Sequence, residues 1–280
     1  MQIMCGIFGY ILKKPIEVAY ALKVLQKLER HQYPNEPKPV GGYGAGIAIF
    51  TSSGMVLLEK VGKVDGPPAE HLAKTCKFDT ASVLIGHVRL PSPWFMETAH
   101  FRETAQPYVV QCFSGLTVIS AHNGNVTNYK AIRERLSGKH LFESERAELI
   151  DSEVIPHLFE ELLLEKGCPE EALNTLYLAV DGPNTISLLQ IEKGRTLLHF
   201  LHKGKTRGLT IWKNRRGEVI FCSRKEPLME TLGFFLDKGN FVEHLSIPHD
   251  KEGNFKVTFT FSLREKLLGR SQKCSEKCHS

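Results

Sequence analysis

A cysteine followed by glycine and an apolar strand pattern lies close to the start of the chain. The segment reads Met4-Cys5-Gly6-Ile7. A start at Met4, or removal of residues 1–4, makes Cys5 the first residue, with both a thiol and a free α-amine. An α-amine has a pKa of about 8 in model peptides, which suits a base that takes a proton from a thiol at neutral pH. The pattern therefore predicts a nucleophilic N-terminal cysteine.

Two charged residues lie where predicted elements end or begin. Arg89 ends the strand-like segment Gly86-His87-Val88-Arg89, and a guanidinium there can hold a carboxylate through two parallel hydrogen bonds. Asp151 opens the helical segment Asp151-Ser152-Glu153, and its carboxylate can bind an ammonium group. An acid for an amine and a guanidinium for a carboxylate together predict recognition of an amino acid. The structural alternatives are an ion pair for Arg89 and a helix cap for Asp151.

A third polar segment, His122-Asn123-Gly124-Asn125, also follows a strand-like run. The side-chain amide of Asn123 and the backbone N–H of Gly124 are two donors of the kind that form an oxyanion hole. The alternative is a hairpin turn, because Asn-Gly is a strong turn signal. His87 and His122 lie inside these motifs, and we expect both to be structural if the α-amine serves as the base.

The elements around these motifs are mainly strands. Several strands follow one another without helices between them, which favours layered antiparallel sheets over a parallel doubly wound sheet. The strands after residue 184 look like a meander, and residues 31–42, rich in proline and glycine, read as a local insertion or a flap over a cleft. Helices are expected at 16–30, 128–136, 151–166 and 169–178; strands at 6–12, 46–50, 56–61, 81–88, 108–111, 116–121, 185–191, 196–201, 209–212, 219–223 and 255–261.

Composition indicates an ordinary globular enzyme. The 280 residues carry a net charge of +5, spread along the chain, so nucleic acid is not an expected partner. There is neither an apolar run of membrane-spanning length nor a signal-peptide layout, and seven irregularly spaced cysteines are a poor disulfide framework. We therefore expect a cytoplasmic protein without a membrane partner. Cys274, Cys278 and His279 near the C-terminus are too few and too loosely spaced for a metal site, so neither metal nor cofactor is predicted.

Taken in order, the four motifs around Cys5, Arg89, Asn123-Gly124 and Asp151 resemble the class II glutamine amidotransferases, the N-terminal cysteine branch of the Ntn hydrolases. Gln106-Pro107 and the strand leading to the serine and arginine at 223–224 are also similar to segments of that family, so the resemblance spans roughly residues 5 to 225. It implies an α+β fold, a four-layer αββα sandwich of two antiparallel sheets with helices on both outer faces.

The resemblance also implies roles for individual residues. Cys5 attacks the side-chain amide of glutamine, Asn123 and Gly124 stabilise the oxyanion, Arg89 holds the α-carboxylate and Asp151 the α-ammonium, while Ser92 matches a hydroxyl that helps to bind substrate. The sequence departs from the family in having Leu90 where many members have an aromatic residue. It also lacks the aspartate often found in the segment corresponding to residues 41–46.

The implied organisation is a leader or alternative start at 1–4, an amidotransferase domain at 5–265 and a basic tail at 266–280. We find neither a phosphate-binding glycine loop nor a cluster-binding cysteine run, so the expected function is a glutaminase-type subunit that passes ammonia to a separate synthase. Such a subunit is expected to dock on another protein or to form an oligomer. The alternatives are a free-standing hydrolase of γ-glutamyl amides or peptides, and a non-catalytic glutamine-binding subunit.

Overall fold

The structure is a computed structural model that describes residues 5–51, 53–136, 138–192 and 195–261. The predicted leader at 1–4, the predicted tail at 266–280 and its Cys274, Cys278 and His279 lie outside these residues. Among the residues that are described, no helix is long and apolar enough to cross a membrane.

Two antiparallel sheets form the centre of the molecule. The first has seven strands in the order β11-β9-β10-β1-β4-β2-β3, and the second has five in the order β12-β8-β7-β6-β5. The strands are β1 (Gly6–Glu17), β2 (Gly44–Phe50), β3 (Val56–Gly62), β4 (Thr80–Val88), β5 (Tyr108–Val110), β6 (Leu116–Gly124), β7 (Asn184–Glu192), β8 (Arg195–Lys205), β9 (Leu209–Lys213), β10 (Val219–Cys222), β11 (Val242–Ile247) and β12 (Glu252–Phe261).

Helices cover the outer face of each sheet. They are α1 (Val18–Arg30), α2 (Pro68–Thr75), α3 (Tyr129–Arg135), α4 (Val154–Lys166), α5 (Pro169–Ala179) and α6 (Lys225–Lys238). The helices α1, α2 and α6 pack on the seven-stranded sheet, and α3, α4 and α5 pack on the five-stranded sheet. A third apolar layer, which includes Ile7, Ile119 and Phe200, fills the space between the sheets. The predicted αββα sandwich is confirmed.

The alternation of side chains along β1 explains why this strand contributes residues to two apolar layers. Its residues Phe8 and Tyr10 point into the helix-covered core, whereas Ile7 and Ile11 point into the core between the sheets. Successive side chains of a strand lie on opposite faces, so a strand buried on both faces reads as a continuous apolar run. All residues of β1 from Gly6 to Leu12 are buried, as the sequence pattern indicated.

The prediction of one C-terminal meander was wrong. The strands β7, β8 and β12 belong to the five-stranded sheet, whereas β9 and β10 belong to the seven-stranded sheet. The chain changes layers between β8 and β9, where Gly208 has a φ of +81° and a Cβ would lie 2.3 Å from the Ile247 oxygen. Only glycine fits such a close backbone crossing. The elements α2, α6 and β11 were not predicted.

Candidate active site

The register of β1 and β4 places Cys5 beside Arg89. Gly6 lies opposite Val88 in this antiparallel pair, so the residue before the one strand meets the residue after the other. The Cys5 thiol contacts Leu90, the residue after Arg89. The Leu90 N–H donates to Cys5 Sγ over 3.3 Å, and Cys5 Sγ donates to the Leu90 oxygen over 3.4 Å. These contacts use the backbone of Leu90, so they do not require the aromatic side chain that many family members have there.

Ser223, just after β10, holds the start of β1 in place. The Ile7 N–H donates to Ser223 Oγ over 2.8 Å, and the Ser223 N–H donates to the Ile7 oxygen over 2.9 Å. A buried pair of hydrogen bonds of this kind fixes the strand end, and with it the direction in which Cys5 leaves the sheet.

The surroundings of the Cys5 thiol favour its neutral form. Burial raises the pKa of Cys5 to about 11, and the negative charge of Asp151 acts in the same direction. The Leu90 hydrogen bond and the positive charges of Arg89 and Arg207 lower the pKa, but by less than burial raises it. The thiol is therefore protonated at neutral pH and needs a base before it can attack a carbonyl.

Arg89 presents an open guanidinium nitrogen. The residue is buried, its Nη1 donates to Thr104 Oγ1, and its Nη2 has no hydrogen-bond partner among the described residues. Arg89 forms no ion pair within the part of the chain that the structure describes, which argues against a structural ion pair. A buried cation with an unused donor is suited to a carboxylate ligand.

Asn123 and Gly124 are the last residues of β6 and are not a hairpin turn. They lie opposite Thr185 and Asn184 of β7. Both amide atoms of Asn123 are buried, and neither has a partner among the described residues. Gly124 has a φ of +146°, and a Cβ there would lie 2.2 Å from the Pro183 oxygen. The amide of Asn123 is therefore open to a ligand, beside a backbone position that requires glycine.

His122, the residue before Asn123, is fixed by hydrogen bonds on all sides. Gln106 accepts from the His122 N–H over 2.7 Å and donates to the His122 oxygen over 3.1 Å. The two ring nitrogens lie 2.8 Å from Ser152 Oγ and 2.7 Å from Asn184 Oδ1. Asn184 Oδ1 can only accept, so Nε2 carries the proton, and burial lowers the pKa of His122. This arrangement fits the structural role expected for His122.

Asp151 is brought to the end of β6 by a hydrogen bond. It lies in the 3-10 turn Asp151–Glu153 that precedes α4, and its Oδ2 accepts from the Val126 N–H over 2.9 Å. Its Oδ1 has only a long contact of 3.4 Å with Ser152 Oγ. The carboxylate makes no side-chain cap on α4, and its Oδ1 keeps capacity to accept from a ligand.

Ser92 lies in the turn that follows Arg89 and Leu90. Its carbonyl oxygen accepts from the Phe95 N–H over 3.0 Å, and its buried hydroxyl has no partner among the described residues. The structure thus places all six predicted site residues around one end of the sandwich, where β1, β4 and β6 begin or end.

Sequence reasoning missed Arg207, whose charge also acts on the Cys5 thiol. Arg207 lies in the link between β8 and β9, and its Nη1 is 3.1 Å from Glu36 Oε1. Glu36 belongs to the 31–42 loop and also binds the fully buried Arg224. The buried carboxylate of Glu36 therefore links the 31–42 loop to Arg207 beside the site. No local sequence pattern indicates this contact.

Comparison with known proteins gives relatives by sequence and by structure. No protein-family model matches the chain. It is 29% identical over 203 residues to the glutamine–fructose-6-phosphate aminotransferase (isomerizing) of Sulfurisphaera tokodaii, which covers 71% of this chain and 30% of the relative. It is 31% identical over 242 residues to the enzyme of the same name from Sulfolobus acidocaldarius, which covers 85% of this chain and 33% of the relative. The chain spans about a third of the length of these relatives.

A solved structure agrees on the fold. The glutamine phosphoribosylpyrophosphate amidotransferase of B. subtilis, complexed with ADP and GMP, has a TM-score of 0.57 at 15% identity, covering 93% of this chain and 50% of that one. At this identity the likeness concerns the fold alone. The curated relatives and the order of the motifs, with which this fold agrees, show that the chain belongs to the class II glutamine amidotransferases, a family of enzymes with the Ntn hydrolase fold.

Proposed function

We propose that this chain hydrolyses the side-chain amide of glutamine through a thioester on Cys5, giving glutamate and ammonia. The proposal rests on a set of polar atoms near the start of β1 that have free hydrogen-bonding capacity. Arg89 Nη2 and the Asn123 amide lack partners among the described residues, and Asp151 Oδ1 has only a long contact. Unpaired buried polar atoms are costly, so a ligand that binds Arg89 Nη2, Asp151 Oδ1 and Asn123 Nδ2 together explains why these three are left open.

The groups match the parts of glutamine. Arg89 Nη2 donates to the α-carboxylate, Asp151 Oδ1 accepts from the α-ammonium, and the Ser92 hydroxyl offers a further hydrogen bond to the substrate. The two charges fix the amino-acid end, so the side-chain amide extends toward Cys5. An amino acid held at both charged groups reaches the nucleophile in one orientation, which lowers the entropic part of the barrier.

The reaction follows from this placement. Cys5 Sγ attacks the amide carbon while the Cys5 α-amine takes the thiol proton, and the resulting oxyanion accepts from Asn123 Nδ2 and the Gly124 N–H. The C–N bond then breaks, and the proton on the amine passes to the leaving ammonia. Water attacks the thioester, returns the proton to sulfur and releases glutamate. No cofactor is required by these steps.

We further propose that the ammonia is used by a separate synthase. The relatives are named as aminotransferases of fructose 6-phosphate, and this chain matches about a third of their length. The described residues are occupied by the two sheets and their covering helices. The amidotransferase domain is proposed to run over 5–265, between a leader at 1–4 and a tail at 266–280, and to dock on its ammonia acceptor.

The nucleophile is tested by intact mass together with trapping by 6-diazo-5-oxo-norleucine, followed by peptide mapping. We expect a chain that begins at Cys5 and is labelled once, on that thiol. Labelling and glutaminase activity should be lost in Cys5→Ala and retained in Cys168→Ala, which removes another free cysteine. A chain that keeps residues 1–4 and refuses the reagent contradicts the proposal and favours a glutamine-binding subunit.

The ammonia acceptor is tested by comparing substrates. Weak activity on glutamine that rises when a co-purified synthase is added supports delivery to a partner. Activity on γ-glutamyl peptides that exceeds activity on glutamine, with no effect of any partner, identifies a free-standing γ-glutamyl hydrolase instead.

A further inference from the structure

Four metal-ligating side chains converge on the outer face of the five-stranded sheet. One ligand atom from each of Cys112, His140, His157 and Glu160 lies within 4.8 Å of every other, and the last three residues are buried. Cys112 follows β5, His140 precedes α4, and the other two lie on α4. Their spacing on α4, three residues apart, puts both side chains on one face of the helix.

Three of the distances between the ligand atoms are close to the edges of a tetrahedral site. Cys112 Sγ lies 3.6 Å from His157 Nδ1, His157 Nδ1 lies 3.0 Å from His140 Nδ1, and His140 Nδ1 lies 3.6 Å from Glu160 Oε2. Bond lengths of about 2.3 Å to sulfur and about 2.0–2.1 Å to nitrogen give edges of about 3.3–3.6 Å in a zinc tetrahedron. These three pairs are within about 0.4 Å of the tetrahedral edges, and every other pair of ligand atoms lies within 4.8 Å, so side-chain movements alone can bring the four atoms around one ion.

The two carboxylate oxygens of Glu160 have different surroundings. Its Oε1 accepts from the N–H groups of Cys112 and Phe113, over 2.9 and 3.2 Å. Its Oε2 is buried and has no hydrogen-bond partner among the described residues, although it faces His140. A buried carboxylate oxygen without a donor is unfavourable, and a bound cation would satisfy it.

A carboxylate outside the cluster orients the imidazole of His140. His140 uses Nδ1 toward the cluster, and its Nε2 lies 2.9 Å from Glu161 Oε2. His157 also uses Nδ1, and its Nε2 faces Glu153 Oε1 at 3.9 Å. Metal-bound histidines usually donate their second ring N–H to a carboxylate, which fixes the ring and strengthens the ligand. His140 follows that pattern, whereas His157 Nε2 is buried without a hydrogen-bond partner among the described residues.

We propose that Cys112, His140, His157 and Glu160 bind a Zn²⁺ ion. Thiolate and imidazole ligands favour zinc over magnesium or calcium, and four protein ligands leave no open position, as in structural zinc sites. Binding releases the Cys112 thiol proton, so one thiolate and one carboxylate neutralise the two positive charges. No metal site was predicted from the sequence, and the zinc site does not depend on the proposed glutaminase activity.

The ion would stabilise the helix next to the substrate-binding groups. The ion would join α4 to Cys112, which follows β5, and to His140, which precedes the 3-10 turn. Asp151 lies in that turn, which leads directly into α4. Glu153 of the same turn accepts from the N–H groups of Glu143 and Ser144, over 2.6 and 2.8 Å. Metal binding should therefore raise the stability of the whole segment.

The test uses the full chain incubated with Zn²⁺, desalted, and assayed for metal by mass spectrometry. We expect one Zn²⁺ per chain and a melting temperature that a chelator lowers. Cys112→Ser and His157→Gln should weaken zinc affinity by at least about 100-fold, and Glu161→Gln by about 10- to 100-fold. Cys168→Ser is the matched control and should keep full metal content.

A second measurement on the unaltered chain does not depend on how the variants fold. X-ray absorption of the zinc-loaded protein should show one sulfur and three nitrogen or oxygen neighbours, and Co²⁺ loading should give a thiolate charge-transfer band. Absence of retained zinc overturns the proposal. So does zinc that survives in the cluster variants and disappears in Cys274→Ser/Cys278→Ser, because that result places the metal on the C-terminal cysteines.

Discussion

His87 Nε2 lies 3.2 Å from the carbonyl oxygen of His122, and this contact joins the two sheets at the end where the candidate site lies. A carbonyl oxygen can only accept, so Nε2 carries the proton. Burial lowers the pKa of His87 to about 3, so the ring stays neutral at physiological pH. Arg89 lies two residues after His87 and Asn123 directly follows His122. This hydrogen bond between neutral groups therefore aligns the segment that carries Arg89 with the segment that carries Asn123.

Arg89→Gln should weaken recognition of the α-carboxylate. Hydrogen bonds to charged groups are worth about 1.5–3 kcal/mol, so we expect kcat/KM for glutamine to fall by about 10- to 150-fold, mainly through KM. For a glutamine analogue without the carboxylate, the variant and the unaltered enzyme should have similar kcat/KM. Thr104→Val removes the partner of Nη1 together with the hydroxyl's hydrogen bonds to the Thr98 and Phe101 oxygens, and it should show a smaller loss because Nη2 is kept. Equal losses on both substrates would show that Arg89 does not hold the carboxylate.

Asn123→Ala should separate catalysis from stability. Removing an oxyanion donor lowers kcat by about 10²–10³-fold with little change in KM. The melting temperature should be unchanged or higher, because the amide of Asn123 has no partner among the described residues and its burial is unfavourable. Ser120→Ala removes another buried, unpartnered group from the same strand and should keep normal kcat. A marked fall in the melting temperature of Asn123→Ala would indicate a structural role instead.

Gly124→Ala should be strongly destabilising. The added Cβ would meet the Pro183 oxygen at 2.2 Å, at a positive φ that other residues rarely adopt. We expect a loss of about 2 kcal/mol or more in the free energy of unfolding, measured by urea denaturation. Gly138→Ala is the control, because its Cβ would meet nothing within 4 Å. Similar stabilities of the two variants would mean that the backbone at Gly124 is not as constrained as described.

Alkylation of Cys5 should depend on pH in a way that reports its environment. A pKa raised to about 11 disfavours the thiolate, so in a form that retains residues 1–4 the thiolate fraction at pH 8 is about 100-fold below that of an ordinary cysteine. The rate of Cys5 alkylation by iodoacetamide should therefore rise about tenfold per pH unit up to pH 10. The rate measured on Cys5→Ala is subtracted as the contribution of the other cysteines. A plateau by pH 9 would contradict the raised pKa. In a chain that begins at Cys5, activity should instead rise as the α-amine loses its proton, near pH ~8.

Much of the fold was predictable because buried strands and amphipathic helices carry their own periodicity. The helix at 16–30 and the strand at 81–88 differ from α1 and β4 by only one or two residues at their ends. The missed strand β11 has no fully buried residue and lies at a sheet edge, so it has no apolar alternation to detect. The division of the last strands between two sheets depends on a backbone crossing at Gly208, which no local pattern specifies.

The site was predictable where its residues share a short motif and unpredictable where tertiary contacts assemble it. Arg89 and Asn123-Gly124 each follow strand-like runs, and the register of the sheets brings them to one end. Arg207 lies among Lys205, Gly204 and Gly208, a composition that reads as an ordinary basic turn. The cluster of Cys112, His140, His157 and Glu160 has only one local pair, on α4, and the other ligands arrive from separate segments.

The candidate site takes Cys5 and Arg89 from one sheet and Asn123 and Gly124 from the other. Between the sheets, the rings of Phe200 and Phe221 pack edge to face with centroids 4.7 Å apart, one ring from each layer. The thickness of this apolar layer thus sets the distance between Cys5 on one sheet and Asn123 on the other. For the proposed reaction, a change of interior side-chain volume far from any substrate atom would therefore alter kcat.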